Sequence, residues 1–302
     1  MKEKYIDLHV HSTNSDGALT PDKVIEETQK NNVDILSITD HDITPDRSFY
    51  ESLTIGNESI RLIPGAELST DYYIEKRKIR IHILAYDAID KDGLLRKELK
   101  RLKEARAEGN YIYIKMLLKK LTFLDAEDFK DFDYSQYGWI KKRILTQINP
   151  SKYTEEEFNI LLRCLNEIKP KYPKCTFELE EGIGLVKDAN GYTSFAHPYQ
   201  TGLKYDELLK LIDKMKVYGL DSIETFHAEA KIDDNKTAKS LANKYRLLES
   251  CGSDFHRCGQ NKIGYGINNN MKITETSLSN YIIEKGKYFM NGIYRGKDDY
   301  ER

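Results

Sequence analysis

The sequence predicts an α/β fold in which parallel strands, joined by crossover helices, are interrupted by a helical insertion. Three observations lead there. Short apolar runs that end abruptly in a polar or acidic residue recur along the chain, helical stretches with start signals lie between several of them, and the run ends repeat at the length of one strand–helix unit. His11 to His41 spans 30 residues, His41 to Glu67 spans 26, His197 to His227 spans 30 and His227 to His256 spans 29. Strands that alternate with helices pair in parallel, because each crossover returns the chain to the same edge.

In chain order the apolar runs are Tyr5–His9, Ile35–His41, Leu62–Glu67, Ile79–Tyr86, Tyr192–His197, Leu220–His227 and Leu247–Asp254, which read as seven strands. Thr20-Pro21 opens a helix to about Asn31, with Thr as cap and Pro as first helical residue. Asp206 opens a second to Tyr218, and Asp233 or Asp234 a third ending near Tyr245. The 115 residues from His82 to His197 have a different texture. Residues 96–145 read as helical, as do 154–168 from Thr154-Glu-Glu-Glu onward, with Pro150, Pro170 and Pro173 as punctuation. The expected organisation is therefore a barrel or sheet built from 1–94 and 186–302, with 95–185 as a mostly helical insertion, or cap. From Arg96 to Arg143 there are 13 Lys and Arg against 8 Asp and Glu, a local +5 that is read either as a solvated helix face or as an anion-facing cap.

Composition excludes several classes. With 47 Lys and Arg against 49 Asp and Glu among 302 residues, the chain is no cationic coat for duplex nucleic acid. No apolar run approaches the roughly 18–20 residues that cross a bilayer, and the first residues lack the apolar core of a signal peptide, so a cytoplasmic protein is expected. Cys164, Cys175, Cys251 and Cys258 form no CxxC pair, which fits reduced thiols better than a disulfide frame or a thiolate zinc site. No GxSxG, P-loop or dinucleotide-type GxGxxG is present.

The seven histidines carry the chemistry. His9-Val10-His11 places two imidazoles on one side of a strand end, and Asp254-Phe255-His256 repeats that spacing. Asp40-His41-Asp42 sets an imidazole between carboxylates, and Asp16 follows the first pair closely enough to fold back over it. If the strands are parallel, His9, His11, His41, Glu67, His82, His197, His227, Asp254 and His256 converge on one edge, an arrangement that builds a multinuclear metal site. Imidazole and carboxylate without thiolate favour Zn²⁺, Mn²⁺ or Fe²⁺. Three such ions carry +6 while Asp16, Glu67 and Asp254 return only −3, so an anionic substrate is expected, and two or three ions that activate water as hydroxide suit phosphoester hydrolysis.

These motifs resemble the PHP family, named for polymerase and histidinol phosphatase domains. The resemblance runs through DLHVHSTNSDG (7–17), ITDHD (38–42), PGAEL (64–68), HIL (82–84), AHP (196–198) and GSDFH (252–256). It implies a distorted (β/α)7 TIM-like barrel with up to three metals at the strand C-termini. It also implies His9, His11, Glu67 and Asp254 on one metal, Glu67 as bridge with His82 and His197 on a second, and Asp16, His41 and His256 on the third. The insertion, Gly219–Glu224 and GSDFH resemble the branch of small-nucleotide phosphatases and 5′→3′ exoribonucleases. That branch often carries Gly-Arg-Pro-His in the insertion, whereas Tyr137-Gly-Trp-Ile-Lys-Lys-Arg143 keeps neither Pro nor His.

Around the ligand set, His227 is a candidate to contact phosphate or protonate the leaving oxygen, with packing as the competing reading. Arg257, Lys142 and Arg143, with Lys141 beside them, are candidates for gripping phosphate. Trp139, Tyr134 and Tyr137 either stack on a base or pack, and Cys251 packs. The expected activity is a metal-dependent phosphoesterase acting on a nucleoside monophosphate or 3′,5′-bisphosphate. Alternatives are a 5′→3′ exoribonuclease on short 5′-phosphorylated RNA, a histidinol-phosphate phosphatase and a non-catalytic metal-binding module. The expected partner is a small phosphorylated nucleotide or short RNA, with no duplex nucleic acid, no membrane and no obligate protein partner.

Overall fold

The computed structural model describes residues 4–44, 47–54, 59–88, 93–169, 171–266 and 271–274. The chain forms two compact units, one from the described residues of Met1–Lys97 and Thr176–Arg302, the other Glu98–Cys175.

The first unit is a sheet wrapped into a nearly closed barrel. Strands β1 (Ile6–Val10), β2 (Ile35–Ile38), β3 (Arg61–Ile74), β4 (Arg77–Tyr86), β5 (Phe177–Glu178), β6 (Tyr192–Phe195), β7 (Ser222–His227) and β8 (Leu248–Gly252) follow in chain order. They lie side by side as β1-β2-β3-β4-β6-β7-β8, with β5 on β3, and a parallel bridge from Val10 to Phe255 brings the chain beyond β8 back to β1. A short pair, β9 (Tyr265–Gly266) and β10 (Met271–Lys272), follows. Inside the barrel Ile6, Leu8, Ile35, Ile63, Leu84 and Cys251 pack together. On the outer face Val24 and Ile25 of α1 (Pro21–Lys30) and Leu53 of α2 (Arg47–Thr54) cover Leu36, Ile38 and Leu62. This two-layer burial, worth roughly 25 cal/mol per Å² of apolar surface, is what makes seven short runs close on themselves.

The parallel order breaks at β4, which is antiparallel to both β3 and β6. Instead of a crossover, Glu75 at φ 55° turns the chain straight back, as a tight hairpin requires. That turn lengthens β3 to 14 residues and places His82 in mid-strand opposite Ser69 rather than at a strand end.

The helices α6 (Leu179–Asp188), α7 (Tyr205–Tyr218) and α8 (Ile232–Tyr245) belong to this unit. Asp206 and Asp234 lie inside the first turns rather than capping them: Glu207 accepts from the Lys204 N–H at 2.9 Å and Asp234 from the Lys231 N–H at 2.9 Å. Both carboxylates are still favourable there, close to the positive helix end.

The insertion is narrower than 95–185. Residues 176–185 join the barrel because Phe177 pairs with Thr70 and α6 packs on β3, where a Cβ on Gly182 would come within 2.7 Å of Thr70. In the second unit α3 (Leu94–Lys120), α4 (Ile140–Gln147) and α5 (Glu155–Glu167) bury Tyr113, Leu117, Ile144 and Leu161. Thr154 caps α5 reciprocally with Glu157, through bonds of 3.2 and 2.8 Å. The helical reading of 96–145 is interrupted between α3 and α4, where Phe129 and Phe132 turn into that core. Among the described residues no helix is long and apolar enough to cross a membrane.

Candidate metal centre

The centre forms where the barrel strands end. In β1, Ile6 and Leu8 face the inner core and Val10 the outer one, and a register irregularity between Asp7 and Val10 switches the side that follows. His9 and His11 therefore follow Leu8 inward, both fully buried. Gly252 makes room for them, since a Cβ there would lie 2.1 Å from the Cβ of His9. Asp7 anchors the far strand: it accepts from the Ser253 hydroxyl at 2.6 Å and the Gly264 N–H at 2.7 Å. Burial pushes its pKa up to about 6 against those bonds. Asp40 pins the loop after β1, accepting from Ser12 N at 2.7 Å, Ser12 Oγ at 2.6 Å and Ser15 Oγ at 2.6 Å.

Glu67 occupies the middle and is 1% exposed. Its Oε2 lies 3.3 Å from His9 Nε2, 3.2 Å from His11 Nε2 and 3.0 Å from His41 Nδ1. Its Oε1 lies 2.8 Å from His82 Nδ1 and 3.0 Å from His197 Nε2. Each oxygen thus serves a different set of imidazoles. Asp254 Oδ1 closes the first set, 3.4 Å from His9 Nε2 and 3.2 Å from His11 Nε2. A third set gathers on Asp16 Oδ1, 3.3 Å from His256 Nε2, 3.8 Å from His11 Nδ1 and 3.9 Å from His41 Nε2. All nine residues singled out in the sequence come together.

Among the described residues the buried Nε2 of His9, Nε2 of His11 and Nδ1 of His82 make no hydrogen bond, although each has a carboxylate oxygen within 3.4 Å. Desolvated nitrogens that approach oxygens without bonding to them fit positions meant for an ion between them. Four groups of donors among the described residues have their ligand atoms within 4.8 Å of one another: His9, His11, Glu67 and Asp254; His41, Glu67 and His82; His11, Asp16, His41 and His256; and His9, Glu224 and His227. His11 and His41 each stand between two groups, a sharing the sequence did not foretell.

The electrostatics match a site for cations. Burial opposes the charge of Glu67, yet His41, His82, His9 and His11 hold its pKa well below the carboxylate range. Asp254 is likewise held low against burial, chiefly by His9, His11 and His227. Burial also opposes charge on His11, and Asp254 and Glu67 reverse this, pushing it up to about 10. His41 goes the other way, driven well below its usual value by burial and by the neighbouring His11 and His82. The backbone is strained here, with His197 at φ 28° and Asp254 at φ 51°.

His227 lies at the rim of the first set. Its Nδ1 accepts the Glu229 N–H at 3.1 Å and is 2.7 Å from the Tyr199 hydroxyl, while Nε2 is 3.4 Å from Asp254 Oδ2. A backbone N–H only donates, so Nδ1 is bare and the ring proton is on Nε2, facing the centre. Arg257 is exposed beside His256. Lys142 is exposed on α4, and Arg143 donates to the carbonyls of Gln136 at 3.0 Å and of Asp133 while stacking on Phe132. The Arg143 fork is thus committed within its own unit. Trp139 is 84% exposed, whereas Tyr134 packs against the insertion core and Cys251 is buried in the barrel.

Two residues that sequence reasoning passed over as site residues are Glu224 and Tyr199. Glu224 Oε1 is 3.1 Å from His9 Nδ1, and its Oε2 accepts the His197 N–H at 2.7 Å. A charged residue inside the apolar run of β7 was the available signal.

A PHP domain model matches residues 7–288. The chain belongs to the PHP domain family. PHP relatives include a 5′-3′ exoribonuclease of Haemophilus influenzae, 30% identical over 273 residues, covering 87% of this chain and 94% of that protein. A phosphoribosyl 1,2-cyclic phosphate 1,2-diphosphodiesterase of Eggerthella lenta is 26% identical, covering 83% and 93%. A 3′,5′-nucleoside bisphosphate phosphatase of Chromobacterium violaceum is 25% identical, covering 84% and 88%. Among solved structures, a Chromobacterium violaceum amidohydrolase with bound sulfate superposes with a TM-score of 0.72 at 23% identity over 96% of both chains, which shows the shared PHP fold.

Proposed function

We propose that this PHP protein is a metal-dependent phosphoesterase that removes phosphate from a small nucleotide, a nucleoside monophosphate or 3′,5′-bisphosphate. The observation that carries this reading is Glu67, whose two oxygens face separate sets of imidazoles; in them the buried Nε2 of His9, Nε2 of His11 and Nδ1 of His82 make no hydrogen bond, while His197 Nε2 bonds to Oε1 at 3.0 Å. The nine ligands would be His9, His11, Glu67 and Asp254 for one ion, Glu67, His82 and His197 for a second, and Asp16, His41 and His256 for a third. Mn²⁺, Zn²⁺ and Fe²⁺ all suit imidazole and carboxylate donors. Bound there, such ions supply Lewis-acid stabilisation of phosphoryl charge and make water acidic enough to attack at neutral pH.

The chain's own groups do the rest. Asp16, Glu67 and Asp254 leave the loaded centre with positive charge to spare, so a phosphate dianion is drawn in and neutral substrates are not. His227 presents an Nε2–H toward the centre, in position to donate a hydrogen bond to phosphate, and Tyr199 and the Glu229 N–H keep its proton off Nδ1. Arg257, exposed next to His256, is the barrel's candidate grip on phosphate. A soluble, cytoplasmic setting suits such a substrate.

The test is phosphate release by the purified chain with Mn²⁺ from a panel of mono- and bisphosphorylated nucleosides; release from none of them refutes the proposal. A second reading, stepwise 5′→3′ hydrolysis of short 5′-phosphorylated RNA, is favoured by the Haemophilus influenzae relative's name and its 94% coverage. With a 5′-phosphorylated, 3′-labelled pentanucleotide, a ladder of shorter products supports it, and loss of the terminal phosphate alone counts against it.

A further inference from the structure

Glu224 is 2% exposed in β7 and serves two donors from distant parts of the chain. An ionised carboxylate only accepts, so its Oε1, 3.1 Å from His9 Nδ1, holds the ring proton there. The Nε2 of His9 is thereby left bare toward Glu67 and Asp254. Its other oxygen accepts the N–H of His197 at 2.7 Å. His197 has φ 28° and ψ 61°, a backbone pose that a non-glycine residue holds only when its surroundings impose it. The His197 side chain then reaches Glu67 Oε1, the oxygen opposite the one His9 faces. Regular alternation would point Glu224 and His227 to opposite sides of β7, but a register shift between Glu224 and Phe226 lets both approach His9.

From this geometry we infer that Glu224 is a positioning residue that couples the two ion positions on either side of Glu67, setting the tautomer of His9 and the backbone pose of His197 with one carboxylate. The inference rests on reading these donors as metal ligands. Glutamine at this position has the same shape but one acceptor and one donor. With its oxygen toward His197, its amide drives the His9 proton onto Nε2, where it blocks coordination. With its oxygen toward His9, two N–H donors confront each other at His197. Either arrangement spoils one position. Aspartate keeps both acceptors but, one methylene shorter, cannot span both partners where they stand.

The experiment is a titration of the chelator-stripped full-length protein with Mn²⁺, reading free ion by electron paramagnetic resonance and expressing uptake per folded chain by circular dichroism. Wild type is expected to take up more than one ion. Glu224→Gln is expected to lose one of these or bind it about 10–100-fold more weakly, with Glu224→Asp between the two. Wild-type stoichiometry and affinity in Glu224→Gln overturn the inference while leaving the metal reading intact. If Glu224→Gln does not fold, Glu224→Asp decides, with weakened uptake supporting the inference and wild-type uptake overturning it. Absence of uptake by the wild type overturns both.

Discussion

The close approach of β8 to β1 makes Gly252→Ala a sharp perturbation. The added methyl would sit 2.1 Å from the Cβ of His9 and 2.7 and 2.9 Å from its N and Cα. Carbon atoms rest at about 3.5–4.0 Å, so the strands must part by roughly 1.5 Å, and no flexible side-chain end is available to yield instead. Overpacking of this kind costs about 1–3 kcal/mol, which for a domain of this size lowers the melting temperature by about 2–10 °C. Activity should suffer more than stability, because a misplacement of about 1 Å at a reacting centre costs on the order of a hundredfold. Gly184→Ala is the control: in the interior of α6 a Cβ meets nothing within 4 Å. It should leave turnover unchanged and stabilise by up to about 1 kcal/mol. Thermal melts and phosphate-release kinetics on both variants read the two effects. Wild-type melting and turnover in Gly252→Ala would refute the claim that this glycine sets the position of His9.

Other outcomes follow from the same centre. Glu67→Gln should keep the fold by circular dichroism yet lower turnover by more than the roughly 10–100-fold cost of losing an outer partner, since both of its oxygens face imidazoles. Adding Mn²⁺ to the chelator-stripped chain should raise its melting temperature, by the equivalent of about 2.7 kcal/mol at a hundredfold excess over the dissociation constant. Asp71 tests pH dependence away from the centre. Burial opposes its charge, but Lys78, Thr176 and Arg80 outweigh this and hold its pKa below the usual value of 3.8. A depressed carboxylate contributes stability above its unfolded pKa and loses it as pH falls through the folded one. Asp71→Asn should therefore melt below wild type at neutral pH, and the gap should narrow as pH drops below about 4; a gap independent of pH argues against the ion pairs.

Much of the centre was legible because its residues obey short-range rules. The two-residue spacing of His9 with His11 and of Asp254 with His256, and carboxylates at the ends of apolar runs, survive any uncertainty about strand boundaries. His82 was found as a donor inside its strand, but the expected parallel order fails there, because the Glu75 turn reverses β4 and no crossover intervenes. Glu224 was hidden by a bulge, a backbone event that leaves no mark on side-chain alternation. Tyr199 gains its meaning only from an imidazole 28 residues away. Lys142 and Arg143 looked alike as charges, yet the fold leaves the first exposed and spends the second on main-chain carbonyls.

The junction of β1 with the chain beyond β8 also governs when the centre can exist. Val10 meets Phe255, and Asp7 holds Ser253 and Gly264, across more than 240 residues of sequence. At synthesis rates of about 5–20 residues per second, roughly 10–50 s separate the appearance of His9 from that of Asp254. Six of the seven imidazoles have emerged by then, before the last carboxylate and before the barrel has its final strand. On the proposed ligand set, full ion capture would await this closure of the ring, and the growing chain carries these donors unassembled for most of its synthesis.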